Sequence, residues 1–164
     1  MLIVGVDPGL HGAACIYEAE THRVLAVTDM PVEPWGSKSH INVPEFMRWV
    51  HRGRADTAAI ERVNAMPSID GRRSMGAASA FRFGMVFGEV RGALIGAGLK
   101  IVDVPPTTWK DLFELRGRDK DDARLLALHL FPDLAQTLKR KKDIGRAESI
   151  LIARWAALGR WEHK

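Results

Sequence analysis

Four acidic residues stand in surroundings that are otherwise apolar or basic. Asp7 ends an apolar run in "LIVGVDPGL", Glu61 ends another in "TAAIERV", and Asp143 and Glu148 lie in "KRKKDIGRAES" at the start of an apolar helix. A lone carboxylate at the end of a buried strand is expensive unless it has a partner. If the strands carrying Asp7 and Glu61 lie centrally in one sheet, the two acids meet at its carboxyl ends, and Asp143 and Glu148 join them from the last helix. Two like charges about 4 Å apart repel by roughly 4 kcal/mol at an effective dielectric near 20. Such a cluster calls for a counter-ion. Oxygen-only donors suit magnesium, with manganese as a substitute, and phosphate oxygens can complete the shell. Two ions about 3.5–4 Å apart would serve phosphodiester cleavage. The cations Lys139, Arg140, Lys141, Lys142 and Arg146 would then hold a phosphate backbone over the acids.

Each piece also has a plainer reading. Asp7 before Pro8-Gly9 fits a turn, and Glu61-Arg62 fits a surface pair. Asp143 and Glu148 fit helix caps or dipole partners, and "KRKK" fits a solvated charge run. An offset of five does not put Asp143 and Glu148 on one helix face. Joint action requires Asp143 to precede the first turn, which Gly145 permits.

The elements that must position these acids read as follows. Leu2 to Val6, Gly12 to Tyr17 and Val24 to Thr28 are apolar runs with short connections, which predict an antiparallel meander. "MPVEPWGSKSH" reads as a loop. Asn42 caps a helix starting near Pro44 that carries Phe46, Met47, Trp49 and Val50. "TAAIERV" is a buried strand, and Met75 to Ala97 is helical by period, with Phe83, Val86, Phe87, Val90 and Leu94 on its apolar face. "KIVDVPP" is a further strand, and Thr107 or Thr108 caps "TWKDLFEL". A helix with Leu125, Leu126, Leu128 and Leu130 ends at Phe131-Pro132, and "RAESILIARWAAL" closes the chain as an amphipathic helix. The order βββαβαβαα predicts a mixed α/β fold.

The helix from Met75 carries Gly84, Gly88, Gly92 and Gly96, one glycine every four residues. Each costs about 1 kcal/mol of helix propensity against alanine. Their spacing makes one ridge where a second backbone can approach closely. Two partners are open: this protein's own sheet, or a second subunit.

Composition sets the outer bounds. A chain of 164 residues fits one domain over 1–164, and 46% hydrophobic with 27% charged residues is globular. The net charge of +4 favours polyanionic partners. Cys15 is the single cysteine, which excludes an internal disulfide and a cysteine zinc site and suits a reducing compartment. The N-terminus has neither a basic region nor an apolar run long enough for a signal peptide, and no window reaches transmembrane length. The expectation is an intracellular protein of a bacterial or phage-infected cell, or of an organelle.

Together, "GVDPGLHGA", "IERVNAMP", "PPTTWKDLF", "DKDDARLLALHLFPDL" and "KRKKDIGRAESILIA" resemble the Holliday junction resolvases of the RuvC superfamily, in order and over nearly the whole chain. The similarity is to the phage-type and plant chloroplast branch. The resemblance implies an RNase H-like fold, with a five-stranded mixed sheet made of the meander plus two parallel strands and flanked by helices. It also implies a homodimer, with the glycine-bearing helix at the interface, and magnesium-dependent symmetric nicking of four-way DNA junctions. By position, Asp7, Glu61, Asp143 and Glu148 would be the metal-binding acids, with Lys120 a catalytic lysine and Lys110 a second one near the backbone. Arg72 and Arg73, in the loop after Glu61, would contact phosphates. Ile144 departs from relatives that carry histidine there, which bears on rate and metal choice. Two alternatives stay in view: an RNase H-like nuclease on another substrate such as an RNA–DNA hybrid, and a junction-binding protein with a weakened site. An actin-like kinase shares the opening strand but needs a second nucleotide-binding half.

Overall fold

The computed structural model describes residues 1–62 and 76–159. Strands β1 (Leu2–Asp7), β2 (Ala13–Glu18) and β3 (Arg23–Asp29) form the expected antiparallel meander. β1 also pairs in parallel with β6 (Thr57–Glu61), and β6 with β7 (Lys100–Val104). The sheet order is β3-β2-β1-β6-β7, so β1 is central. This is the five-stranded mixed sheet that the sequence predicts.

Side-chain alternation divides the sheet into two cores. Val4, Val6, Ala14, Ile16, Ala58 and Ile60 pack on one face with α1 (Val43–Gly53) and α2 (Ala77–Gly96). Ile3, Cys15, Tyr17 and Ala59 pack on the other with α3 (Pro106–Leu112), α4 (Lys120–Leu130) and α5 (Ile144–Ala157). Both faces are covered, which is why β1, β2 and β6 read as continuous apolar runs.

α5 lies unusually close to β1. A Cβ on Gly5 would fall 2.1 Å from the Ser149 carbonyl oxygen and 2.6 Å from the Ala153 Cβ. Gly5, Ser149 and Ala153 are therefore small because helix and sheet touch there. Gly12 meets a similar constraint in the β1–β2 turn, where a Cβ would lie 2.1 Å from the Asp7 carbonyl oxygen.

Several local expectations change. The "MPVEPWGSKSH" segment is not a loop but a hairpin, β4 (Val32–Trp35) and β5 (Lys38–Ile41). Its two-residue turn opens on Gly36 at φ 61°, a conformation suited to glycine. α1 starts as predicted, with the Asn42 side chain accepting from the Glu45 N–H at 3.0 Å. α3 starts at Pro106 with Pro105 before it, rather than at a threonine cap, because proline at the first helical turn needs no donor. α2 is described from Ala77, and Met75 lies outside the described residues. Val86, Val90 and Leu94 of α2 are buried as expected, whereas Phe83 is exposed.

The glycine ridge does not face the sheet. A Cβ on Gly84, Gly88, Gly92 or Gly96 would meet no atom of the described residues within 4 Å. Packing on the protein's own sheet is thereby excluded as the ridge's explanation. Phe81 and Ile95 share this outward face, 71% and 48% exposed.

Gly5→Ala is expected to lower stability by about 1–3 kcal/mol, because the obstructing atoms are helix backbone and the Ala153 Cβ, none of which can rotate away. Urea unfolding should show a lower midpoint with an unchanged slope, and an unchanged midpoint would contradict the close approach described here.

Candidate active site

The site is built at the carboxyl ends of the central parallel strands. The β1–β6 register pairs Val6 with Ile60, which sets Asp7 beside Glu61 one residue further on. Val6 and Ile60 belong to the α1/α2 core, so by alternation the two acids point to the α5 side. α5 completes the corner. A Cβ on Gly145, in its first turn, would lie 3.1 Å from Asp7 Oδ2 and 2.9 Å from the His11 carbonyl oxygen. Three residues on, Glu148 comes close enough to raise the pKa of both Asp7 and Glu61.

Burial and repulsion make this corner hostile to negative charge. The Asp7 carboxyl is pushed from 3.8 up to about 7, first by burial, then by Glu148 and Glu61. A backbone hydrogen bond from Gly9 and the charge on Lys110 oppose that rise. Glu61 is also raised, chiefly by burial and further by Glu148, against the Trp109 hydrogen bond and Lys110.

α3 supplies both opposing side chains. It begins directly after β7, the strand next to β6, so Trp109 and Lys110 come over the end of Glu61's strand. The fully buried Trp109 donates its indole N–H to Glu61 Oε1 at 2.9 Å. Lys110 Nζ lies 3.4 Å from Glu148 Oε1 and 4.9 Å from the centroid of the Trp109 ring. Trp109 is the site residue that the sequence reading passes over. Its signal was available: a buried tryptophan needs an acceptor for its N–H, and it stands next to Lys110.

Asp143 is placed differently. It directly precedes α5, as the spacing requires, but its side chain is only 2% exposed and is held by arginines. Arg140 donates through Nε (3.0 Å) and a terminal nitrogen (2.7 Å) to Oδ1, and its backbone N–H donates to Oδ2 at 2.8 Å. Arg146 approaches Oδ1 at 3.8 Å. The Arg140 side chain leads in holding the Asp143 pKa below the ordinary carboxylate range. The charges that chiefly act on Asp7 are Glu148, Glu61 and Lys110.

The predicted DNA contacts also divide. Lys139, Lys141 and Lys142 are exposed beside the site-bearing helix. Arg146 is engaged with both oxygens of Asp29 at 2.6 Å and with the Thr137 carbonyl oxygen at 3.0 Å. Lys120, exposed at the start of α4, has no ion pair with the acids among the described residues, whereas Lys110 does. Arg72 and Arg73 lie outside the described residues.

Among the described residues, no group of three or more His, Cys, Asp or Glu side chains is drawn together tightly enough to hold an ion as it stands. The donor chemistry of Asp7, Glu61 and Glu148 nevertheless fits a hard divalent cation. The donors are all oxygen, two of the carboxyls are destabilised by burial and mutual repulsion, and Lys110 is the cation paired with them among the described residues. An open cleft of about 420 Å³ reaches Asp7 past Gly9, His11 and Gly12, with Arg82 and Phe83 of α2 on its other wall.

No protein-family model matches the chain. Over 70 residues, 42% of its length, the chain is 41% identical to the Holliday junction resolvase MOC1, chloroplastic, of Chlamydomonas reinhardtii. The match spans 8% of that protein's length. RuvC of T. thermophilus in complex with Holliday junction substrate has the same architecture, with a TM-score of 0.60 at 18% identity over 97% of this chain and 96% of that one. The fold is that of RuvC. A second Thermus thermophilus RuvC structure gives a TM-score of 0.54 at 18% identity over 97% of each chain. The resemblance to the RuvC superfamily read from the ordered motifs therefore holds, in sequence over part of the chain and in fold over nearly all of it. No helix among the described residues is long and apolar enough to cross a membrane.

The Asp7 shift has a consequence for stability in the absence of metal. Below pH 3.8 the carboxyl is protonated in both folded and unfolded chains and carries no penalty. As pH rises towards 7 the unfolded chain ionises first, so Asp7 progressively destabilises the fold, by an amount on the order of a few kcal/mol. In EDTA, Asp7→Asn should therefore gain stability over the native chain between pH 4.5 and 8. Parallel pH profiles of urea unfolding for the two proteins would contradict this.

Proposed function

We propose that the chain is a magnesium-dependent, structure-selective endonuclease that resolves four-way DNA junctions by paired symmetric nicks and leaves 5′-phosphate ends. The observation that carries this reading is the meeting of Asp7, Glu61 and Glu148 at one corner of a RuvC fold. These three carboxylates would hold two magnesium ions, for which manganese would substitute. When bound, the ions would stabilise charge on the attacking water and on the leaving 3′-oxygen. The water oxygen bonds to phosphorus and the P–O3′ bond breaks, giving a 5′-phosphate and a 3′-hydroxyl. Lys110 offsets part of the carboxylate charge and would face the approaching phosphate. Lys120 is assigned a supporting catalytic role on the resemblance alone. Asp143 enters the ligand set only on giving up Arg140, so Asp143→Asn separates its two roles. Lost cleavage with intact stability marks a ligand, and lost stability marks a structural clamp.

Lys139, Lys141 and Lys142 are proposed as phosphate contacts, as are Arg140 once it leaves Asp143, and Arg72 and Arg73. Affinity carried by such contacts falls steeply with salt. The outward face of α2, with Phe81 and Ile95 flanking Gly84, Gly88 and Gly92, supports a homodimer. A two-fold axis would present one site to each of two strands.

In magnesium, the native chain is expected to nick a labelled mobile junction symmetrically and to spare an RNA–DNA hybrid, while Asp7→Asn loses about a hundredfold or more in rate. Efficient hybrid cutting with an intact junction would overturn the substrate. Junction binding without cutting by either protein, in magnesium or manganese, would favour the weakened-site alternative that Ile144 motivates. Gly88→Leu should convert dimers to monomers in sedimentation while the circular dichroism spectrum is kept. A native chain that sediments as a monomer at high concentration would remove the dimer.

A further inference from the structure

We infer that Trp109 is a positioning residue for the ion-holding carboxylates: its indole N–H fixes Glu61 by Oε1 and turns the other oxygen to the cation. This deepens the function proposed above and rests on it for the cation, though not for the pairing itself. The geometry is specific. The ring is fully buried in the core between the sheet and its helices, so its direction is set by packing. Its single polar atom lies 2.9 Å from Glu61 Oε1. An indole can donate and cannot accept, so the contact holds the carboxylate as an acceptor. A buried indole N–H without an acceptor would itself be costly, so each group satisfies the other.

The neighbouring residue extends the arrangement. Lys110 reaches Glu148 and covers the Trp109 ring, so one dipeptide of α3 holds two of the three acids, Glu61 at the end of β6 and Glu148 on α5. The side chains differ in what they can release. Lys110 is a mobile ion partner that a phosphate or a metal ion can displace. Trp109 is locked by its burial and stays.

Partners that orient metal-holding side chains typically change metal affinity by about 10–100-fold when removed. Trp109→Phe keeps the aromatic filling and removes the donor, so it should weaken manganese binding, read by electron paramagnetic resonance, about tenfold. Cleavage should show a raised metal activation constant with kcat at saturating metal largely kept, a division that a merely loosened fold would not give. A second measurement needs no metal. In 15N spectra, the Trp109 indole N–H, identified by its absence in Trp109→Phe or by direct assignment, should exchange slowly and should shift in Glu61→Gln. An indole resonance unmoved by Glu61→Gln, or unchanged manganese affinity in a folded Trp109→Phe, would overturn the inference. A native chain that binds no manganese at all would instead overturn the proposed function, with the indole–Glu61 pairing still judged by the 15N result.

Discussion

The close seating of α5 on β1 is the constraint on which the rest of the molecule depends. Gly5 has no side chain, so the Ser149 carbonyl and Ala153 can come down onto the central strand. The Cys15 thiol, on the next strand, donates to that same carbonyl at 3.3 Å and satisfies it where water does not reach. Gly145 repeats the device one turn earlier, against Asp7 and the β1–β2 turn. A helix held off the sheet by ordinary side chains would carry Glu148 away from the strand ends. The small residues of β1 and α5 thus decide whether the acids can act together.

Bringing acids together has an electrostatic consequence that the surrounding residues only partly offset. Among the described residues, the corner holds three carboxylates, one lysine in direct contact, one indole N–H and one backbone N–H. Fully ionised, it would carry an excess of negative charge in a place with little water. The rise of the Asp7 pKa to about 7 is the expected response of a buried carboxyl set beside two others. A DNA backbone brings one more negative charge per phosphate, so it could not settle on an unneutralised corner. In the function proposed above, cation binding and backbone binding would therefore favour one another.

The large elements were legible because each depended on a local pattern. Buried runs ending at Asp7 and Glu61, short meander connections and the Asn42 cap all read directly into β1, β2, β6 and α1. The pairing of Asp7 with Glu61 was legible for the same reason, since adjacent parallel strands place their carboxyl ends together. What stayed hidden was non-local. The β4–β5 hairpin was masked by its prolines, although Trp-Gly-Ser-Lys carried a two-residue turn signal. The direction of the glycine ridge is set by which face of α2 bears Val86, Val90 and Leu94, and four small residues in a row of turns do not say what they face. Trp109 belongs to the core. Its polar atom meets Glu61 only because a single residue, Pro105, separates α3 from β7.

The segment Lys139–Ser149 shows how one charge run can serve two purposes. Arg140 and Arg146 turn inward to Asp143, and Arg146 also grips Asp29 at the end of β3, tying the entry of α5 to the far side of the sheet. The Asp29 carboxyl is largely open to water, so this pair contributes little by itself. The Asp143 pair differs, because a carboxylate only 2% exposed that lost Arg140 would be left as an uncompensated buried charge. The remaining lysines face solvent and are available to a polyanion. The formal charge of this run therefore overstates the field that DNA would meet, and the two arginines are better counted as part of the fold. Asp143 cannot hold an ion while Arg140 occupies both of its oxygens. If it acts as the superfamily resemblance implies, the exchange of Arg140 for a cation is the point at which the metal-free and loaded proteins must differ. Arg140 is half exposed, so a phosphate oxygen is the natural acceptor to draw it away.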